Sequence, residues 1–260
     1  MSTVIPAGDV ADRAQRELLA KLVDDLALLA RLHDREADAG LLQELRTVPC
    51  RDWFSLRLEG SEAEVAAALM DDWLAGLPDA IGGKTVDELA ADFTELYLTY
   101  ARRVSASESV WLTEEHLERQ EPMFAVRKWY RHYGLEVPDW RNRPDDHLVH
   151  QLQFVAHLLG TGEPSAVADA GRFLDDHLLA WVDDFAAGLA ARADTPFYAA
   201  LGIVTRLAVL RLRDIVEALS GEVRNVSSSH SGAARDSAAA DGAPADGQEP
   251  AFVPGAGPGW

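Results

Sequence analysis

Cysteine is nearly absent from this sequence: Cys50 is the only one in 260 residues. A single thiol excludes an intrachain disulfide, an iron-sulfur cluster held by several thiolates of the chain, and a multi-cysteine zinc site. Between Pro49 and Trp53 it reads as a packed apolar residue. Lysine is almost as scarce, with Lys21, Lys84 and Lys128 set against 43 Asp and Glu. The formal charge of -19 repels nucleic acid and anionic lipid at long range, which argues against both as main partners and favours a cationic one. Long apolar runs are missing too. No stretch approaches the roughly 18 uninterrupted apolar residues of a membrane span, so membrane insertion is not expected. Met1 to Val10 has neither a basic region nor an apolar core of the secretory kind, and the expected location is the cytoplasm.

Enzyme signatures are equally lacking. There is no phosphate loop, no dinucleotide fingerprint and no nucleophile elbow. Gly82-Gly83-Lys84-Thr85 looks like the end of a phosphate loop but lacks the first glycine and a preceding strand, and it reads as a turn before a helix. No catalytic residue is assigned, and no metal or cofactor is expected.

What is present is helical periodicity. Leu18, Leu22, Leu26, Leu29 and Leu32 form a stripe at spacings of three and four. Ser61 to Glu64 and Thr85 to Glu88 have capping-box spacing. The first predicts a helix with Val65, Leu69, Trp73 and Leu77 on its apolar face, and the second one with Val86, Leu89, Phe93, Leu96 and Tyr97. A loop over 100–109 and a helix over 121–133, ended by Gly134 in a left-handed cap, follow. A Pro-rich connection over 137–144 then leads to helices over 144–159, 164–192 and 195–220, the last opened by Thr195 and Pro196.

No segment alternates with period two. The fold class is therefore all-α, a helical bundle of two halves, about 9–136 and 144–220, joined by the Pro-rich connection. Residues 221–260, rich in Ser, Ala, Gly, Pro and Asp, are expected to form a disordered tail in which Phe252 and Trp260 are isolated.

The most distinctive local feature is Asp145-Asp146-His147-Leu148 after Pro144, where carboxylates in a first helical turn suit the helix dipole. The tetrapeptide recurs at Asp175-Asp176-His177-Leu178 within a helix, among Phe173, Leu174, Trp181 and Phe185, where His177 reads as a helix-helix contact. His147, His150 and Asp146 lie within one turn and raise a metal site as an alternative, but no Glu-x-x-His units from facing helices accompany them.

The run from Leu89 to Leu159 resembles the TorD/DmsD/NarJ family: Asp92-Phe93-Thr94-Glu95-Leu96-Tyr97, Glu108-Ser109-Val110-Trp111, Val126-Arg127-Lys128-Trp129-Tyr130, Tyr133-Gly134-Leu135, and Arg143-Pro144-Asp145-Asp146-His147-Leu148. The family hallmark is Glu-Pro-x-Asp-His; Pro144, Asp146 and His147 match it, and Arg143 replaces the glutamate. The resemblance implies a TorD-like bundle and a chaperone rather than an enzyme. Its implied partner is the catalytic subunit of a molybdopterin oxidoreductase and that subunit's twin-arginine leader, held until cofactor insertion. Its implied peptide-binding residues are Asp146, His147, Pro144 and Asp145, with Trp111, Trp129 and Tyr130, and also Trp140, along the apolar part. Such a ligand carries guanidinium groups and an apolar stretch, and calls for carboxylates beside a hydrophobic groove. A monomer and a homodimer both fit. Two alternatives stay open: a metal-dependent helical hydrolase using Asp146, His147 and His150, and an acidic adaptor for a cationic protein.

Overall fold

The computed structural model describes residues 7–224. The order is α1 (Ala7–Asp34), α2 (Ala39–Leu45), a 3-10 turn (Cys50–Asp52), α3 (Ser61–Ala75), α4 (Gly83–Phe93), α5 (Glu108–Leu112), α6 (Glu121–His132), α7 (Leu148–Thr161), α8 (Pro164–Phe173), α9 (Leu179–Arg192) and α10 (Pro196–Ser220). Two of these continue into π-helical turns, α4 into Thr94–Leu98 and α8 into Leu174–Leu178. The described residues contain no β-strand, and the class is all-α. The expected tail lies outside the described residues from 225 onward, as do Phe252 and Trp260.

The α1 stripe behaves as its spacing predicts. Leu22, Leu26, Leu29 and Leu32 are buried, with Leu19 beside them and Leu18 at the margin. This face lies along α7, whose Leu148, Leu152, Val155 and Leu159 are fully buried. Removing one such leucine side chain costs about 2–5 kcal/mol. α10 packs on α3, α8 and α9, and α5 reaches α9. Helices from either side of the Pro-rich connection thus alternate within one core.

Several local expectations give way to tertiary contacts. α3 starts at Ser61 with Gly60 as its cap at φ 96, and no side chain caps it. Its buried face is Ala63, Ala66, Met70 and Leu74, while Val65 and Leu69 are exposed. The face is rotated from the predicted one because the small Ala63 and Ala66 permit the approach of α10. α4 likewise starts at Gly83, ahead of Thr85, with no capping box. Thr195 is the N-cap of α10, but its hydroxyl donates to the Asp92 carboxylate at 2.6 Å instead of accepting from the helix. Gly134 does take the left-handed conformation, at φ 69.

α7 begins at Leu148, not Pro144, so Asp145 and Asp146 precede the helix instead of occupying its first turn. The reason is an isolated antiparallel bridge between Ser107 and His147. Glu108 N donates to Asp146 O at 3.1 Å and Leu148 N to Ala106 O at 2.7 Å, which holds both strips extended. Residues 105–109 are thereby ordered against the distinctive motif.

Candidate functional site: an acidic cleft at the proline-rich connection

Five parts of the chain enclose a cleft of about 590 Å³. The end of α1 contributes His33 and Asp34. α4 and its π-helical turn contribute Phe93, Tyr97 and Leu98. The connection contributes Val137, Pro138, Asp139, Asn142, Arg143 and Pro144, and the start of α7 contributes His147 and His150, with Glu118 on a further loop. The π-helical turn sets Tyr97 against His33 and leaves Leu98 67% exposed at the cleft. Three carboxylates, Asp34, Glu118 and Asp139, face one guanidinium, Arg143, so the lining carries a formal charge of -2 with its histidines neutral.

His147 caps α7 through its ring: Nδ1 accepts from Val149 N at 3.2 Å, which leaves the proton on Nε2 as a donor. Burial holds its pKa well below the ordinary histidine value, and the charge of Arg143 adds to this. His150 is lowered in the same way, and its Nε2 is buried with no hydrogen-bond partner. His33 at the floor sits between Tyr97 Oη and Thr205 Oγ1, each at 2.7 Å. The Thr205 hydroxyl donates to Leu201 O, so it accepts from His33 Nε2–H, and Nδ1 accepts from Tyr97. This relay needs a neutral ring, and burial lowers the His33 pKa to about 3.

The expected site residues divide. Pro144 and His147 line the cleft. Asp145 and Asp146 are buried behind it. Asp145 takes a two-pronged contact from Arg127 at 3.0 and 2.8 Å, while its carbonyl accepts from Tyr130 Oη at 2.9 Å. Asp146 Oδ2 accepts from Ser109 N at 2.8 Å and Ser109 Oγ at 2.5 Å, so its carboxylate is engaged internally rather than presented to an incoming arginine. Burial lifts its pKa to about 6 against the opposing pull of those hydrogen bonds. Trp111 donates from Nε1 to Ser105 O at 2.7 Å, Trp129 stands edge-on to Phe173, and Tyr130 is buried beside Phe154; none of the three lines the cleft. Trp140 stacks under the Arg127 guanidinium at 4.8 Å.

Asp146, His147 and His150 do not form a donor set, and among the described residues no group of three His, Cys, Asp or Glu side chains is placed to hold a metal ion. His177 is the helix contact its surroundings predict: buried, it donates from Nδ1 to Glu108 Oε1 at 2.9 Å, and Gln151 Nε2 donates to Glu108 Oε2 at 2.6 Å. No helix of the described residues is long and apolar enough to cross a membrane.

Sequence reasoning missed His33, Asp34, Glu118 and Asp139. Asp34 had a detectable signal, since a carboxylate on the last residue of a helix opposes the helix dipole and needs another reason to be there.

Comparison with known proteins gives this cleft a lineage. The family model described as nitrate reductase delta subunit matches residues 61–187, which hold most of the cleft lining. The Tat proofreading chaperone DmsD of Salmonella paratyphi A is 31% identical over 154 residues, covering 55% of this chain and 74% of that protein. The chain belongs to the TorD/DmsD/NarJ family of chaperones. The chaperone protein TorD of Salmonella newport is 29% identical over 198 residues, covering 75% of this chain and 90% of that protein. Against TorD of Vibrio vulnificus, 29% identical over 120 residues, the match covers 43% of this chain and spans little more than half of the relative's length, 56%. In this chain the segment 144–147 is pinned by the Ser107–His147 bridge, and its Pro144 and His147 line the acidic cleft.

Proposed function

We propose that this chain is a cytoplasmic chaperone that binds the leader peptide of a molybdopterin-dependent oxidoreductase subunit and holds the cofactor-free enzyme until the cofactor is inserted. The observation that carries the reading is the cleft. It sets Asp34, Glu118 and Asp139 beside Phe93, Tyr97, Leu98, Val137 and Pro138, the combination an arginine-bearing peptide with an apolar stretch requires. His147 Nε2–H adds a hydrogen-bond donor suited to a peptide backbone. Membership of the TorD/DmsD/NarJ family, with a Tat proofreading chaperone and TorD chaperones among the relatives, supports a chaperone role.

In this reading Pro144 and His147 touch the peptide, and Asp146 and Asp145 act through them. Asp146 fixes the Ser109 segment against the hallmark, and Asp145 ties it to α6 through Arg127 and Tyr130. No covalent step is involved. Binding holds the apo-enzyme, and release follows cofactor insertion.

The test is capture of the tagged full chain from its host during anaerobic respiration, with co-purifying proteins identified by mass spectrometry. Recovery of an unprocessed molybdopterin oxidoreductase subunit, reduced in a folded His147→Ala variant, is the expected result. Failure to recover any such subunit from cells that express them would overturn the proposal.

A further inference from the structure

We propose that Asp34 is the guanidinium acceptor of the cleft and that Arg143 is its internal occupant, displaced by an arginine of the incoming peptide. This rests on the peptide-binding reading above and adds to it a named residue and a selectivity. Arg143 reaches Asp34 with both ends of its fork: Nη1 donates to Oδ1 at 2.5 Å and Nη2 to the backbone carbonyl at 2.8 Å. A planar group with fixed donors satisfies both acceptors together, whereas an ammonium acts as a point charge.

The pair is built to be exchanged. Both side chains stay partly open to solvent, Asp34 at 25% and Arg143 at 35%. Asp34 ends α1, where the helix dipole disfavours a carboxylate, so cations around it keep it there. Arg35 supplies two further hydrogen bonds at 3.1 and 2.9 Å. Burial raises the Asp34 pKa, but the hydrogen bonds from Arg143 and Arg35 outweigh it, and the group stays below the ordinary carboxylate value. It is therefore an anion at neutral pH.

An arriving guanidinium replaces one charge-assisted contact with another, so Asp34 is never left uncompensated. The released Arg143 stays in a cleft that also holds Asp139 and Glu118. Affinity is then set by competition between two guanidinium groups. Removing the internal one changes the lining from three carboxylates against one cation to three against none.

The experiment uses the full chain and a fluorescent synthetic peptide of two adjacent arginines followed by an apolar stretch, with a Lys-Lys version beside it, read by fluorescence anisotropy at low salt. Arg143→Gln is expected to bind the arginine peptide about fivefold more tightly than the unaltered chain, and Asp34→Asn to lose a similar factor. The lysine peptide should bind less well to both the unaltered chain and Arg143→Gln. Arg143→Lys, which keeps the charge but lacks the fork, should fall between. Circular dichroism and thermal melts check that each variant is folded. If the unaltered chain binds but Arg143→Gln gains nothing, or Asp34→Asn loses nothing, the displacement idea is wrong and the peptide-binding reading survives. If neither the unaltered chain nor any folded variant binds the arginine peptide, both fall.

Discussion

Asp146 Oδ2 accepts two hydrogen bonds from one residue, Ser109, 37 positions earlier in the chain: one from the backbone N–H and one from the hydroxyl. This contact orders the strip before α5 against the strip before α7. Asp146→Ala strands both donors in a buried place and should lower stability by about 3 kcal/mol. Ser109→Ala should cost less, because the backbone N–H remains bonded. The two losses should be strongly non-additive, which a double-mutant cycle by urea unfolding measures. Simple additivity would mean that the contact does not hold the segments together.

Stability should fall on acidification through His33. In the unfolded chain this ring takes a proton near 6.5, and in the fold not until about 3. The folded pKa is depressed, so the contribution is complete above about pH 6.5 and is lost as pH falls toward 3, at up to about 1.4 kcal/mol per pH unit. Burial of His147 and His150 acts in the same direction. Asp146, whose pKa is raised from 3.8 to about 6, acts in the opposite one: its destabilisation appears as pH rises through that window and is relieved below it. Melting temperature against pH for the unaltered chain and His33→Gln separates the terms. The variant should show a shallower decline below pH 6.5, and parallel curves would exclude the His33 linkage.

At Gly202 α10 lies close against α9. A Cβ there would stand 2.9 Å from Ala186 O and from Leu189 Cβ, so at least one clash is with rigid backbone. Gly202→Ala should destabilise by about 1–3 kcal/mol through overpacking. Gly83→Ala, whose added methyl meets only Asp87 Oδ2 at 3.8 Å, should show no loss. Chemical denaturation of the pair decides whether close packing is responsible.

Cys50 should be inert in the folded protein. It is 4% exposed, and burial, aided by the charge of Asp71, pushes its thiol up to about 12. A thiol reagent at pH 8 should label it slowly under native conditions and stoichiometrically in denaturant. Rapid native labelling would show that the segment around the 3-10 turn opens readily.

How much of this was legible in the sequence depends on distance along the chain. The α1 stripe was, because every member lies within a turn of the next and periodicity alone identifies the buried side. The α3 face was not: Val65 and Leu69 match the helical period as well as Met70 and Leu74 do, and only the arrival of α10 selects between them. The capping boxes failed for a related reason. Spacing made Ser61 and Thr85 attractive caps, but Gly60 and Gly82 take the cap positions of α3 and α4; Thr195 does cap α10 ahead of Pro196, with its hydroxyl turned to Asp92, 103 residues away.

Within the site the same boundary holds. The hallmark residues Pro144, Asp146 and His147 were recognisable as a contiguous motif, yet the motif does not reveal that Asp146 turns inward to Ser109 while His147 meets the cleft. Trp111, Trp129 and Tyr130 were candidates through the family resemblance; none of them lines this cleft, and while Tyr130 is buried, Trp111 and Trp129 stay partly exposed elsewhere on the bundle.

The sequence by itself determined the helical class, the acidic character and the family, since each is written in local periodicity, composition or a short contiguous motif. Only the tertiary structure decided which charges meet. Asp34 and Arg143 are 109 positions apart, and a contact of that span leaves no trace in either neighbourhood. It arises because α1 packs along α7 and carries Asp34, its last residue, to the proline-rich connection, where a chain that cannot continue as helix leaves Arg143 free to reach across.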